Sequence, residues 1–446
     1  MTLKQLDIKR EYIKGKVIVG VDPSQDKHQM FVIDSSGFAL CKSFSISKSN
    51  EGFRERLWIN LRRHLIPQDI TPENIVFAIE VSVDFWQTLA DYLHREGYTV
   101  VLVSPLATKK SRSLPGNDFS RTDQKDARLV AENAFRGHYH FYEDYSERSK
   151  AMKTLSLTYN KLRKDLSGNY LRLRSMLNRV FPEFPGIVPL NTDTAFYLLT
   201  NYLHPNDFLT LNIGDTVEGM MKVSQKQHGM ETLLKLQEAA KNTIGIPKNP
   251  EEIMTDRFTV DAWLVLINTL KEQMKIISGK LIEMAKENYC FNILTSVKGI
   301  SDLSASLFLA ELRDISKFHH FKQIQKFAGL NLRLNDSGKG HGRHIINRLG
   351  NKRLRWIIYW MARETAKYIP EVRIRYLKRQ IKNSNYTKNV IAVSSQLLQL
   401  LMALIKAKRT YEYRIENELI MLDLEHQYNL VKKRKKKKSN NVYQLV

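Results

Sequence analysis

The sequence predicts an α/β domain followed by a mainly helical region. Two apolar runs end in acidic residues, KVIVGVD at Asp22 and NIVFAIE at Glu80, and both have the length and composition of buried strands. Helical patterns alternate with such runs up to about residue 145. Strand signals then stop, and leucines and basic residues recur at helical spacing for most of the remaining chain.

The elements follow in order. VIVGVD, HQMFVID and ALCKSFSIS read as three strands, with a turn at Ser35-Ser36-Gly37 between the last two. Asn50 is placed to cap a helix through GFRERLWINLRRHL. NIVFAIE is followed by a helix around FWQTLADYLHREG, which Gly97 can stop. TVVLVS is a further strand, ended by Pro105, and ATKKSRSLPGNDFSR reads as a basic loop. A helix then opens at Asp123. Three meandering strands followed by alternating helix and strand is the order of a ribonuclease-H-like mixed sheet, here residues 1–145.

Residues 146–290 form a long helical region, with AMKTLSLTYNKLRKDLSGNYLRLRSMLNRVF and DAWLVLINTLKEQMKIISGKLIEMAKENY as its main helices. Such helices can form an arm that pairs with itself or with a partner chain, or a domain with its own core. Residues 291–410 form another unit. In LTSVKGISDLSASLFLAEL, Gly299-Ile300 turns between two helices in the manner of a helix-hairpin-helix element. Residues 411–446 are a helical extension closed by seven consecutive basic residues, Lys432 to Lys438, expected to be a disordered nucleic-acid arm or a solubilising tail.

Composition narrows the function. The 446 residues carry 70 Lys and Arg against 46 Asp and Glu, a net charge of +24 that fits a nucleic-acid binder. The N-terminal segment lacks a signal peptide's apolar core. VIAVSSQLLQLLMALIKAK contains Ser394, Ser395, Gln396 and Gln399, as suits a buried helix and not a membrane span. Cys41 and Cys290 give neither a disulfide framework nor a zinc pair, which places the chain in a reducing, bacterial cytoplasm.

Within this basic chain Asp22, Glu80, Asp123 and Asp126 form an acidic set that calls for a bound cation. Mg²⁺ is the natural candidate, since it takes oxygen ligands and bridges to phosphate. Asp123 and Asp126 share one face of a helical first turn. The competing explanation, Asp123 as a helix cap with an acidic residue three later, does not account for Asp22 and Glu80. Asp26 and Asp84 are nearby alternatives. Downstream, SGKGHGRH sets the Ser337 hydroxyl among backbone amides and the cations Lys339, His341, Arg343 and His344. A Ser337 that attacked phosphorus would form a covalent phosphoserine; a flexible Ser-Gly turn is the plain alternative. Arg348, Asn351, Lys352, Arg353 and Arg355 follow, with phosphate positioning as their default role.

These residues resemble the DEDD-type insertion-sequence transposases that act as bridge-RNA-guided serine recombinases. VGVDPSQDKH, IEVSVDFWQTLADYLHREGYTVVLVSP and RTDQKDARLVA match the RuvC-like domain. VKGISDLSASLFLAELRDISKFHHFKQIQKFAGL, the SG segment and RLGNKRLR match the C-terminal transposase domain, and the helices between match a coiled-coil region. The resemblance implies Mg²⁺ on the four carboxylates and Ser337 as the nucleophile linked to DNA. It also implies a homo-oligomer, dimer or tetramer, in which the two domain types meet between subunits. A structured noncoding RNA would pair with donor and target DNA, with no membrane involved, in a bacterial cytoplasm and at the nucleoid when active. Two departures stand out: Ser82-Val83-Asp84-Phe85 lacks the family's Gly after the Glu, and the helical middle and basic tail lengthen the chain. The other readings are a metal-only, junction-resolving nuclease with a structural Ser337, and a non-catalytic nucleic-acid scaffold.

Overall fold

The computed structural model describes residues 3–82, 84–112, 122–333, 345–382 and 385–443. The chain folds as two compact units, residues 1–144 and 145–446.

In the first unit, α1 (Leu3–Ile13) precedes β1 (Val17–Pro23), β2 (Lys27–Ile33) and β3 (Phe44–Ser47), then α2 (Leu57–Arg62) and β4 (Ile75–Glu80). α3 (Gln87–Arg95), β5 (Thr99–Val103), α4 (Pro105–Arg112), α5 (Asp123–Phe135) and β6 (His140–Phe141) complete it. The sheet order is β3-β2-β1-β4-β5-β6. β1, β2 and β3 are antiparallel neighbours, and β1, β4 and β5 run parallel. β1 and β4 are buried on both faces, which explains their near-continuous apolar runs.

One face carries Val19, Val21, Phe77 and Ile79 and packs with Leu57, Leu61, Leu89 and Leu93 of α2 and α3. The other carries Ile18, Val76 and Ala78 and packs with Val130, Ala131 and Ala134 of α5. Gly20 lies on that second face, where a Cβ would come within 2.3 Å of the Ala127 carbonyl and 2.6 Å of the Ala131 amide nitrogen. Only glycine lets α5 lie this close to the central strand. Gly20→Ala is therefore expected to destabilise the unit by roughly 3 kcal/mol. Thermal unfolding of the purified variant checks this, and a melting point equal to that of the parent would contradict it.

Three local expectations change. Ser49, not Asn50, holds the helix start, its hydroxyl accepting from the Gly52 amide at 3.1 Å. A π-helical turn, Gly52–Arg56, precedes α2. The start of the expected basic loop is the helix α4. Ser104 accepts from the Leu106 amide at 3.3 Å and Pro105 stands at the first helical position, so the proline that ends β5 also begins α4.

Among the described residues the second unit is helical apart from one antiparallel strand pair, β7 (Leu332–Arg333) with β8 (Ile345–Ile346). α6 (Glu147–Val180) and α12 (Pro250–Lys286) are its long helices, packed against each other within the chain. Between them in sequence lie α7 (Phe184–Ile187), α8 (Asp193–Asn201), α9 (Pro205–Thr210), α10 (Ile213–Val223) and α11 (Met230–Lys241). These share one core with the C-terminal part of α6 and the N-terminal part of α12, around Phe181, Phe184 and Phe208.

A second core joins the opposite ends of α6 and α12 to α13 (Tyr289–Thr295), α14 (Asp302–Leu312), α15 (Phe321–Phe327), α16 (Lys352–Tyr368), α17 (Pro370–Lys382) and α18 (Tyr386–Lys406). α18 is the apolar stretch noted above. It is long and apolar enough to cross a membrane, but Val390, Val393, Leu397, Leu398 and Leu401 are buried in this core. α19 (Glu418–Tyr443) runs through the basic tail, whose backbone is helical and not the expected disordered arm. Lys and Arg are good helix formers.

Candidate active site

The four carboxylates belong to the first unit. Val21 pairs with Ile79 in the parallel β1–β4 register, so Asp22 and Glu80 follow side by side at the strand ends. Alternation along each strand puts both on the face that carries Gly20 and packs against α5. Because α5 rests on Gly20 through Ala127 and Ala131, its first turn overhangs the same strand ends with Asp123 and Asp126. Asp123 does not cap the helix. Thr122 does, accepting from the Lys125 amide at 3.3 Å, which leaves the Asp123 carboxylate without the capping role. Both acids also sit at the positive end of the helix dipole.

The electrostatics are those of crowded negative charge. Glu80 is 7% exposed. Burial, then Glu80, Asp126 and Asp123, push the Asp22 carboxyl up to about 7, with Arg112 opposing them. Burial also raises Glu80, Asp126 adds to the shift, and Thr108 and Arg112 counter it. Arg112 is a cation of the site: its Nε donates to Asp126 Oδ1 at 2.8 Å and its Nη2 pairs with Asp126 Oδ2, a largely buried ion pair. The bond to Asp126 holds the Arg112 proton still more firmly than usual.

The sequence hides Arg112, because ATKKSRS has the composition of a loop. The Ser104-Pro105 pair, a cap followed by a proline at the first helical position, was the signal for it.

Among the described residues no three acidic, histidine or cysteine side chains converge into a ready metal cage. Asp126 turns instead to Arg112. The donor set nonetheless fits a hard divalent ion: the acids contribute only oxygens, and Asp22 is raised by burial and then by its neighbouring carboxylates, both of which a cation would counter. Asp26 and Asp84 have no place in this electrostatic set.

Ser337, Lys339, His341, Arg343 and His344 lie outside the described residues. Of the basic residues that follow, Arg348 and Lys352 are exposed. Asn351, Arg353 and Arg355 each make hydrogen bonds inside the chain. Asn351 caps α16 by accepting from the Arg353 and Leu354 amides, each at 3.1 Å, and donates Nδ2 to Glu311 at 2.6 Å. Arg355 donates to the carbonyls of Ala328 and Arg348 at 2.7 and 3.2 Å.

Arg353 donates to Glu311 at 3.0 Å. Glu311 is 2% exposed and also accepts from Lys153 and, at 2.9 Å, from Ser156. Burial alone would raise Glu311; Lys153, Asn351 and Arg353 together bring it below its ordinary value. This network ties α6, α14 and α16 together. Glu311→Ala is expected to cost about 3–5 kcal/mol, because it leaves Lys153 a buried, unpaired charge. Urea unfolding measures it, and a cost under about 1 kcal/mol would mean that the network adds little.

A mixed sheet in this order, with carboxylates from its two central strands and an overlying helix, defines a DEDD-type carboxylate domain. Sequence comparison reaches the same class. A transposase profile of the DEDD, IS110 type matches residues 19–182, and the profile of the IS116/IS110/IS902 transposase family matches residues 291–377. The chain belongs to the DEDD insertion-sequence transposase family of the IS110/IS116 type. It is 24% identical over 409 residues to the insertion element IS116 uncharacterized 44.8 kDa protein of Streptomyces clavuligerus, covering 89% of this chain and 96% of that protein. It is also 26% identical over 135 residues to the transposase for insertion sequence element IS1111A of Coxiella burnetii, covering 30% and 37% of the two chains.

Proposed function

We propose that this DNA transposase cuts and rejoins DNA through a covalent phosphoserine on Ser337, with Mg²⁺ held by Asp22, Glu80, Asp123 and Asp126. The observation that supports the metal half is the convergence of β1, β4 and α5, which buries the Asp22 carboxyl and sets it near three others, raising it to about 7. The serine half rests on the resemblance of the SG segment to the family pattern. Mg²⁺, when bound, would supply Lewis-acid stabilisation of the charge that develops on phosphate oxygens.

The chain's own residues do the rest. Asp22 and Glu80 are fixed by strand backbone, while Asp123 and Asp126 are aimed by the first turn of α5. Arg112 neutralises Asp126, and a cation held by that carboxylate would leave Arg112 available to a phosphate oxygen. The Ser337 oxygen forms a bond to phosphorus as one phosphorus–sugar-oxygen bond breaks. The serine proton passes to solvent or a nearby base, and the departing sugar oxygen takes up a proton. Rejoining runs the same exchange in reverse with a new strand's hydroxyl, so no external energy source is consumed.

Guidance by a structured noncoding RNA that pairs with donor and target DNA follows from the family resemblance, and the +24 net charge suits both nucleic acids. An oligomer is supported by one face of α12. Met254, Phe258, Val265 and Ile276 are all exposed, and at 100° per residue they fall within about 40° of one another, an apolar stripe that the exposed Glu272 interrupts.

Sequencing of the RNA that co-purifies with the protein, combined with excision of a donor plasmid in its presence, tests the whole proposal. One abundant structured RNA that restores excision is the expected result. Random cellular RNA with no effect on excision would remove RNA guidance and leave charge attraction.

A further inference from the structure

A cleft of about 700 Å³ opens between α6, α14 and α16 in the second unit, remote in sequence from the four carboxylates. Its walls are aromatic. Trp356 and Trp360 stand one turn apart on α16, their ring centroids 6.0 Å apart, with Tyr159 on α6 and Tyr368 at the end of α16. Trp360 is 36% exposed, unusual for the largest side chain on a core helix.

Cations sit on these rings. The Arg163 guanidinium lies 4.1 Å from the Trp356 ring centre, Arg363 lies 4.0 Å from that of Trp360, and Lys298 lies 5.0 Å from that of Tyr368. Arg163 Nε is buried without a hydrogen-bond partner, so the cleft wall holds an unused donor. At the floor, Gly299 (φ +101) lets the turn before α14 come within contact of the α16 backbone. That close approach places Ser301, the cap of α14, on the cleft beside the helix's open amide groups.

We propose that this cleft takes an unpaired nucleobase, stacked against Trp356 and Trp360, with the adjoining phosphate held by Arg163, Lys298 and the start of α14. The inference rests on the nucleic-acid function proposed above. The volume suits one nucleotide and is too small for a duplex. Aromatic faces bind any base, and Arg163 with the nearby Lys298 supplies the anion-binding edge that an apolar peptide would not use, while Arg363 is bonded to Glu364 at 2.8 Å. A bulged or single-stranded base from a DNA strand and one from an RNA loop present the same chemistry to this cleft.

Binding of the full-length protein to fluorescein-labelled probes decides the matter. The probes are single-stranded DNA, single-stranded RNA of the same sequence, an abasic strand of equal length, and a DNA duplex, read by anisotropy. Trp360→Ala should weaken binding of a base-bearing single strand about tenfold, leave the abasic strand and duplex unchanged, and be largely rescued in Trp360→Phe. A response confined to the DNA strand or to the RNA strand identifies the source of the base. Equal losses on all four probes, or no loss on any, overturns the proposal. Thermal melts confirm that both variants fold. Strand transfer by the parent protein in the same preparation reports separately on the transposase function.

Discussion

Asp22→Asn is expected to lose DNA cutting by on the order of a thousandfold or more while binding DNA with its parent affinity. The amide keeps the size of the carboxyl but removes the charge at the centre of the acidic set. The same substitution should make the metal-free protein more stable at neutral pH. In the folded state the Asp22 carboxyl is raised to about 7, so it binds a proton there that the unfolded chain has already released. Stability therefore falls as pH rises from the ordinary carboxylate range to about 7, and Asn escapes that loss.

With Asp22 only partly buried, the relief is on the order of 2 kcal/mol, enough to raise the melting point by a few degrees near pH 7.5. Near pH 4 the two proteins should melt together. Mg²⁺ should raise the melting point of the parent more than that of the variant. An inactive variant with no gain in stability at any pH would mean that the carboxylates are not crowded in solution. An active variant would remove Asp22 from the chemistry.

Ser337→Ala is expected to abolish the covalent protein–DNA adduct and to lower strand transfer by on the order of 10⁴-fold or more, the scale seen when a covalent nucleophile is removed. Denaturing electrophoresis of a reaction with labelled donor DNA shows the adduct as a band of protein-shifted DNA. The variant should retain DNA binding and its melting point, because alanine changes neither charge nor bulk appreciably. Cutting to free ends that survives in the alanine variant would sink the serine mechanism. The carboxylates would then be a complete hydrolytic site, as in a metal-only nuclease.

The carboxylate positions were legible because each is tied to a local pattern. Asp22 and Glu80 terminate apolar runs that can only be central strands, and strand order then makes them neighbours. α5 was legible from its periodicity and its acidic first turn. What brings it onto the strand is Gly20, whose role lies in a contact between residues more than a hundred positions apart, and a lone glycine in a strand does not announce its partner. Arg112 was hidden for a different reason: ATKKSRS has the composition of a loop, and one Ser-Pro pair outweighs that composition only once tertiary packing buries Thr108 and Ser111.

The basic run after the SG segment shows a different ambiguity. Arg353 and Arg355 look like phosphate ligands in sequence, yet a buried carboxylate on α14 and two backbone carbonyls already engage them. Charge pattern alone does not distinguish a solvent-facing guanidinium from one holding a fold together.

The long pair α6 and α12 has a geometric consequence. Its two cores lie at opposite ends, one around Phe181 and Phe208 and the other around Leu294 and Leu397. α6 has 34 residues, so it is about 51 Å long, close to the length of fifteen base-pair steps of B-form DNA. The pair thus has a set length, and a B-form duplex lying along it from end to end would advance about one and a half of its own turns.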